Sequence, residues 1–141
     1  MLKVKLLSEV ARLPRCGRLG DAGMDLYSPS DITVPAGGHR QIKLGIAIEL
    51  PPHTFGMISE RSGDAIKYGL HSIGNIIDSN YRGEISAILF NSSKEALEFK
   101  VGDRIAQLLV LPLRPGDSEI EQVTELSESN RGEQAHHSSG R

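Results

Sequence analysis

The sequence lacks several features that would assign it to a class of protein at once. Its 141 residues include one cysteine, Cys16, so there is no second thiol for an internal disulfide. It has no tryptophan, and no apolar run approaches the roughly 18 residues that a membrane helix needs. The formal net charge of −2 gives no global attraction to nucleic acid or to anionic membranes. With no signal-peptide core visible, we expect an intracellular, cytoplasmic protein, the nucleus remaining open.

What the sequence does contain is a series of short apolar patterns separated by glycine and proline turns. The segments that predict strands, by alternating or continuous apolar residues, are 3–7, 32–34, 41–50, 55–59, 76–77, 85–90, 97–101 and 105–113. Residues 61–68 lack a strand pattern and predict a short helical turn. No stretch calls for a βαβ unit, so the pattern indicates an all-β sandwich or barrel in one domain. From Ser127 onward the chain is polar and without pattern.

The stretch from Gly74 to Ile85 carries the clearest candidate for chemistry. Two apolar strands flank a polar turn, and Asp78 and Tyr81 lie near its mouth. A carboxylate on a rigid strand end can act as a general base, and an aromatic ring three residues on can form a flat wall for a ring-shaped ligand. The alternative is a surface hairpin whose aspartate only caps the turn.

Five segments, taken together, give a family resemblance. They are Ala22-Gly-Met-Asp-Leu, Arg61-Ser-Gly, Ile77-Asp-Ser-Asn-Tyr-Arg-Gly-Glu, Gly102-Asp-Arg-Ile-Ala-Gln-Leu and Arg131-Gly followed by Ser138-Ser-Gly. Their order and spacing resemble the five motifs of trimeric dUTP pyrophosphatases. The resemblance implies a jelly-roll-like β-barrel over residues 1–126 and a C-terminal arm over 127–141 that closes over the substrate. It also implies a homotrimer with sites between subunits, dUTP as substrate, Mg²⁺ as cofactor, and no nucleic acid or membrane partner.

The resemblance also implies a role for each matched position. Asp78 resembles the water-activating base, Gln107 the amide that helps to bind the α-phosphate, and Asp25 the carboxylate that faces the water shell of Mg²⁺. The positions that resemble substrate-binding residues are Arg61, Ser62, Gly63, Asn75, Ile77, Tyr81, Arg131, His136, Ser138 and Ser139. Among these, Tyr81 resembles the residue under the deoxyribose, and the backbone of about residues 70–77 resembles a hairpin that reads the uracil edge.

The chain also departs from the family pattern. Proline usually precedes the Arg-Ser-Gly motif and an apolar residue follows it, where this chain has Glu60 and Asp64. Each added carboxylate near a triphosphate is expected to cost on the order of 1 kcal/mol of binding. Asn75 replaces a usual glycine, and His136 replaces a stacking phenylalanine in an arm that lacks three glycines.

Each candidate has a plain structural interpretation as well. Asp25 can hold a loop, Arg61 can form a surface ion pair, and Gln107 can be a satisfied buried amide. Asp103 and Arg104 are interpreted as a turn with a local ion pair. For the function, the alternatives are a catalytically weak nucleotide-binding or regulatory protein on the same fold, and the related dCTP deaminase activity.

Overall fold

The computed structural model describes residues 1–113 and 120–129. The strands in these residues are β1 (Lys3–Leu6), β2 (Met24–Tyr27), β3 (Ile32–Val34), β4 (His39–Glu49), β5 (Thr54–Ser59), β6 (Leu70–Ser72), β7 (Ile76–Ile77), β8 (Glu84–Asn91), β9 (Leu97–Phe99) and β10 (Arg104–Pro112). A short helix, α1, spans Ser62–Tyr68 and ends at Gly69, which adopts the left-handed conformation that favours glycine. The fold is therefore all-β, as the sequence predicts.

The strands form two four-stranded sheets and a small pair. One sheet has the order β1-β4-β8-β6, the second has the order β2-β10-β5-β7, and β3 pairs with β9. Neighbouring strands run antiparallel. Strands adjacent in space are thus often distant in sequence, as in a jelly roll, and within the described residues the sheets do not close into one continuous barrel.

The core lies on one face of the longest strands. Alternate residues of β8, from Ile85 to Asn91, are buried, and so are alternate apolar residues of β4 from Ile42 to Ile48. Successive side chains of a strand point to opposite faces, so this alternation seals one face of the sheet against the core. The amide of the buried Asn91 donates to the carbonyls of Val34 and Glu95, which accounts for its place in an apolar interior.

A bulge in β4 explains the structural role of Glu84, the glutamate of the third motif. The pairing of β4 with β8 shifts register between Lys43 and Ala47, and Gly45 within that interval has φ of 68°. The Gly45 N–H, left without a ladder partner by the bulge, donates to Glu84 Oε1 at 3.0 Å, and Lys43 Nζ lies 3.4 Å from Glu84 Oε2. Glu84 therefore stabilises the bulge.

The alternative interpretation of the Asp78 turn as a surface hairpin is wrong. β7 pairs with β5 and β8 pairs with β4 and β6, so the strands on either side of the turn lie in different sheets. The stretch 70–77 is not a self-paired hairpin either, because β6 joins one sheet and β7 the other. The chain crosses between the sheets twice within about fifteen residues.

In the part of the chain that the structure describes, no helix has the length and apolar character needed to cross a bilayer.

Candidate active site

The central strand of the second sheet gathers one group of candidate residues. Gln107 on β10 lies opposite Asp25 on β2 and opposite Ser59 on β5, and Arg61 follows Ser59 by two residues. Asp25, Arg61 and Gln107 line a cavity of about 470 Å³ together with their neighbours. We call this group the arginine cleft: Asp25, Arg61, Ser62, Gly63 and Gln107.

Asp25 fixes the guanidinium that dominates this cleft. Its Oδ1 accepts a hydrogen bond from Arg61 Nε at 3.0 Å, and its Oδ2 lies 3.4 Å from Arg104 Nη1. The Asp25 side chain is only 16% exposed, so the pair with Arg61 is better shielded from water than an ordinary surface ion pair. The arginine is thereby oriented before any ligand arrives.

Asp64 approaches the same guanidinium from α1. Its Oδ2 lies 3.4 Å from Arg61 Nη1, and its side chain is also 16% exposed. An anionic ligand that binds Arg61 therefore has to compete with two carboxylates, one of them at the position where the sequence departs from the family pattern.

Gln107 is positioned by main-chain groups. Its Nε2 donates to the Glu60 carbonyl at 2.9 Å, which leaves the amide oxygen facing Gly23. A Cβ at Gly23 would overlap the present position of the Gln107 side chain, so glycine allows that side chain to pack closely there. This contact explains the glycine of the first motif.

The second group of candidates surrounds the turn after β7. We call it the turn cavity: Asn75, Ile77, Asp78 and Tyr81, which line a cavity of about 320 Å³. The Asp78 side chain is exposed to solvent, and its carbonyl accepts the Tyr81 N–H at 3.0 Å to close the turn. The Tyr81 hydroxyl donates to the Glu84 carbonyl at 3.1 Å, and the ring passes so close to Gly83 that a Cβ there would overlap it.

Backbone hydrogen bonds hold the segment that leads into the turn. The Ile73 N–H donates to the Ile88 carbonyl at 3.0 Å, and the Ile58 N–H donates to the Asn75 carbonyl at 2.8 Å. Each bond ties the segment to a different sheet. The segment that carries the polar main-chain groups of the turn cavity is therefore anchored to both sheets.

The structure does not unite the two groups. The residues of the arginine cleft and those of the turn cavity line separate cavities of this chain. A carboxylate beside Tyr81 and a guanidinium beside Gln107 are each present, but one chain brings them to different places.

Two expectations about charged residues need correction. Glu60 was expected near bound phosphates, but its carboxylate turns away from the arginine cleft and accepts hydrogen bonds from Ser72. The expected ion pair between Asp103 and Arg104 is replaced by other contacts: Asp103 accepts the Lys100 N–H at 2.7 Å, whereas Arg104 reaches Asp25. Arg104 is thus a residue of the cleft wall that sequence reasoning treated as purely structural.

Among residues 1–113 and 120–129, no group of three or more His, Cys, Asp or Glu side chains is placed to hold a metal ion. Asp25 offers a hard oxygen donor at the cleft wall, but Arg61 already occupies one of its oxygens at 3.0 Å. This donor set fits an ion that keeps its water and takes most of its ligands from a bound phosphate, as Mg²⁺ commonly does, and does not fit direct coordination by the protein.

The remaining predicted positions, Arg131, His136, Ser138 and Ser139, lie outside the described residues.

Comparison with known proteins adds a family assignment. A model of the dUTPase family matches residues 9–140. The deoxyuridine 5′-triphosphate nucleotidohydrolase of Paramecium bursaria Chlorella virus 1 is 44% identical over 131 residues, covering 93% of this chain and 92% of the relative. The protein of the same name from Clostridioides difficile is 42% identical and covers 99% of this chain and 97% of the relative.

Solved structures agree in fold. The dUTPase of Staphylococcus bacteriophage 80alpha with dUPNHPP aligns with a TM-score of 0.91 at 28% identity, covering 100% of this chain and 99% of that chain. A mutant dUTPase from phage phi11 of S. aureus, described with a structural Mg(II) ion, aligns with a TM-score of 0.80 at 26% identity, covering 89% of this chain and 97% of that chain.

Proposed function

Because the chain belongs to the dUTPase family, we propose that it hydrolyses dUTP to dUMP and pyrophosphate. The observation that carries the proposal is that the arginine cleft and the turn cavity together offer the groups that a nucleotide would need. The arginine cleft offers a fixed guanidinium for phosphate oxygens, and the turn cavity offers a carboxylate and an aromatic ring.

In the proposed reaction Asp78 acts as the general base. It takes a proton from a water whose oxygen attacks the α-phosphorus, while the bond from that phosphorus to the bridging oxygen breaks and pyrophosphate leaves. Arg61 and Ser62 bind the phosphate chain and offset its charge, and Gly63 lets the backbone approach it. Gln107 binds the α-phosphate and orients the water. The exposed position of Asp78 leaves it accessible to such a water.

Base and sugar selection fall to the turn cavity in this proposal. The main-chain donors and acceptors between Asn75 and Ile77 read the uracil edge, and cytosine would leave them mismatched and unpaired. The Tyr81 ring packs under the deoxyribose and leaves no room for a 2′-hydroxyl. Its fixed position, held through Glu84 and permitted by Gly83, suits this role.

Magnesium enters as a partner of the substrate. The triphosphate would supply most of its ligands, and Asp25 would face its water shell. The ion would supply charge neutralisation on the phosphate chain.

The separation of the two cavities supports a site shared between subunits. A homotrimer would bring the arginine cleft of one copy against the turn cavity of the next, and each copy would serve two sites. Mixing the impaired variants Asp78→Asn and Arg61→Ala tests this, at a dUTP concentration well below the raised KM of the arginine variant. Random assembly should restore roughly a quarter of the sites, because each needs an intact cleft from one copy and an intact turn from another. Mixtures that stay as slow as the separate variants, despite proven subunit exchange, would contradict a shared site.

The arm over residues 127–141 is proposed as a lid, in which Arg131, His136, Ser138 and Ser139 close over the nucleotide of a neighbouring copy. Deleting it should impair turnover and leave assembly intact. Loss of the oligomer on deletion, measured by light scattering, would contradict a lid.

The decisive assay is pyrophosphate release from dUTP, dTTP, dCTP and UTP, with Mg²⁺ and with chelator. Turnover that requires the metal and is confined to dUTP is the expected result. Hydrolysis of UTP at a similar rate would contradict the Tyr81 gate, and ammonia release from dCTP would indicate a deaminase.

A second candidate is a nucleotide-binding regulatory protein with slow catalysis. It is favoured by the contact of Asp64 with Arg61, which competes with phosphate, and by the altered arm. A phage 80alpha structure is described as belonging to dUTPases that control transfer of virulence genes. Measurable dUTP binding with no turnover would select this candidate.

A further inference from the structure

Glu60 lies between the two groups of site residues and belongs to neither. It follows β5 and precedes Arg61. Its Oε2 accepts hydrogen bonds from the Ser72 hydroxyl at 2.8 Å and from the Ser72 N–H at 3.1 Å. The side chain therefore binds the last residue of β6, at the start of the segment that leads to Asp78.

The geometry makes this contact a bridge between sheets. β5 belongs to the sheet that carries Gln107, whereas β6 belongs to the sheet of β4 and β8. Directly after Ser72 the chain leaves one sheet and enters the other at β7. The Glu60 carboxylate thus holds the crossing segment at its origin, and the hydrogen bond between Ile58 and Asn75 holds it farther along.

The state of the carboxylate agrees with this arrangement. Partial burial acts to raise the pKa of Glu60, but hydrogen bonds from its own N–H and from the Ser72 hydroxyl and N–H, together with nearby His71, outweigh burial and hold the pKa below its usual range. Glu60 is therefore ionised at neutral pH, and its bonds to Ser72 are charge-assisted.

The main chain of Glu60 contacts a different residue from its side chain. Its carbonyl accepts the Gln107 amide at 2.9 Å, and no side-chain substitution removes that carbonyl. A change of the Glu60 side chain consequently affects the two groups differently. The crossing segment loses its contact through Ser72, whereas the arginine cleft keeps its contact through Gln107.

We propose that Glu60 is a positioning residue that fixes the segment from Ser72 to Asp78, and with it the base-reading side of the turn cavity, through its contact with Ser72. This proposal rests on the proposed function in one respect, which is that the ligand of the turn cavity is a uracil base. It assigns a role to a position where the family resemblance predicts proline and the sequence alone suggested an unfavourable charge near phosphate.

The test compares Glu60→Ala with Glu60→Gln, whose amide oxygen can still accept from Ser72, and with Glu9→Ala, which removes an exposed carboxylate elsewhere. The first readout is amide hydrogen exchange over residues 73–78. Loss of a charge-assisted bond should speed exchange there on the order of tenfold in the alanine variant, less in the glutamine variant, and not in the Glu9 control.

The second readout separates the two halves of the ligand by calorimetry. Deoxyuridine, which engages only the base-reading side, should bind the alanine variant on the order of tenfold more weakly, with partial recovery in Glu60→Gln, while pyrophosphate binds all variants equally. Unchanged exchange over 73–78, or equal weakening of deoxyuridine and pyrophosphate, would overturn the proposal.

These measurements do not depend on turnover. If the wild-type protein bound deoxyuridine but hydrolysed no dUTP, the proposed reaction would fail while the role of Glu60 was still decided. If Glu60→Ala did not fold, Glu60→Gln would have to speed exchange over 73–78 for the proposal to stand. Ser72→Ala would be a poorer substitute, because the Ser72 hydroxyl also lies 3.2 Å from the Ile58 carbonyl.

Discussion

The arginine cleft and the turn cavity are built by different means. In the cleft, Arg61 is held between Asp25 and Asp64, so charged side chains from separate elements fix one another. In the turn cavity, Asp78 is exposed and the surrounding chain is held by main-chain hydrogen bonds. The phosphate binding that we propose for the cleft needs a fixed charge, which paired side chains supply. A group that distinguishes one base from another needs fixed donors and acceptors, which an anchored backbone supplies.

The largest effect is expected from removing the charge of Asp78 in the turn cavity. Asp78→Asn preserves the shape of the side chain but cannot accept a proton, so kcat should fall by roughly 10²–10⁴-fold while dUTP binding persists. Because Asp78 is exposed, the thermal midpoint should hardly change. Pyrophosphate release and calorimetry provide the two readouts, with Asp31→Asn, at an exposed ion pair with Lys100, as control. Wild-type kcat in Asp78→Asn would remove Asp78 as the base.

In the arginine cleft the corresponding change should act mainly on binding. Arg61→Ala removes a charged donor to phosphate and leaves Asp25 with Arg104 as its remaining guanidinium partner, so KM for dUTP should rise by roughly 10–10²-fold. Arg40→Ala, which removes an exposed arginine of β4, is the matched control. Equal KM values for the two variants would mean that the cleft does not hold the phosphates.

The sugar gate should show a smaller effect, confined to selectivity. Tyr81→Ala opens space beside the ribose, and the preference for dUTP over UTP should fall by roughly tenfold. Tyr81→Phe keeps the ring and loses only the hydroxyl bond to the Glu84 carbonyl, so it should retain the preference. The measurement is the ratio of kcat/KM for dUTP to kcat/KM for UTP. An unaltered ratio in the alanine variant would mean that another residue excludes the 2′-hydroxyl.

The smallest effect concerns stability in acid. The pKa of Glu60 in the folded protein lies below its ordinary value of 4.5. The ionised side chain therefore makes its full contribution to the stability of the fold above pH 4.5, and this contribution is lost as the pH falls through the lower pKa of the folded state. The gap in thermal midpoint between wild type and Glu60→Gln should therefore be constant near neutral pH and narrow in acid. A difference in thermal midpoint that grows as the pH falls would contradict the expectation that the pKa of Glu60 is lowered by folding.

The sequence predicted most of the strands, and the reason is visible in their burial. β4 and β8 alternate between buried and accessible residues, so their apolar period is strong. β2 was not predicted, because Leu26 is its one fully buried residue and the rest of the strand serves the first motif. Periodicity indicates which residues face the core and carries no information on pairing, which is why a hairpin of β7 and β8 was compatible with the sequence.

For the site, the motifs named the candidate side chains but not their surroundings. The order of residues does not reveal that Asp78 and Arg61 line different cavities, since that follows from the pairing of β5 with β10 on one side and the sheet crossing on the other. Nor does it reveal that Glu60 turns toward Ser72, or that Arg104 reaches Asp25. Those facts depend on register between elements up to about eighty residues apart.

The central place of β10 also has a consequence for synthesis. Asp25 and Arg61 are translated early, but the strands that carry or precede them, β2 and β5, each pair with β10, which begins only at Arg104. A ribosome that has passed both residues has therefore made a chain with no arginine cleft, because its two walls still lack the strand between them. The cleft therefore forms in one late step, and a chain that ends before β10 lacks the surface to which we assign phosphate binding.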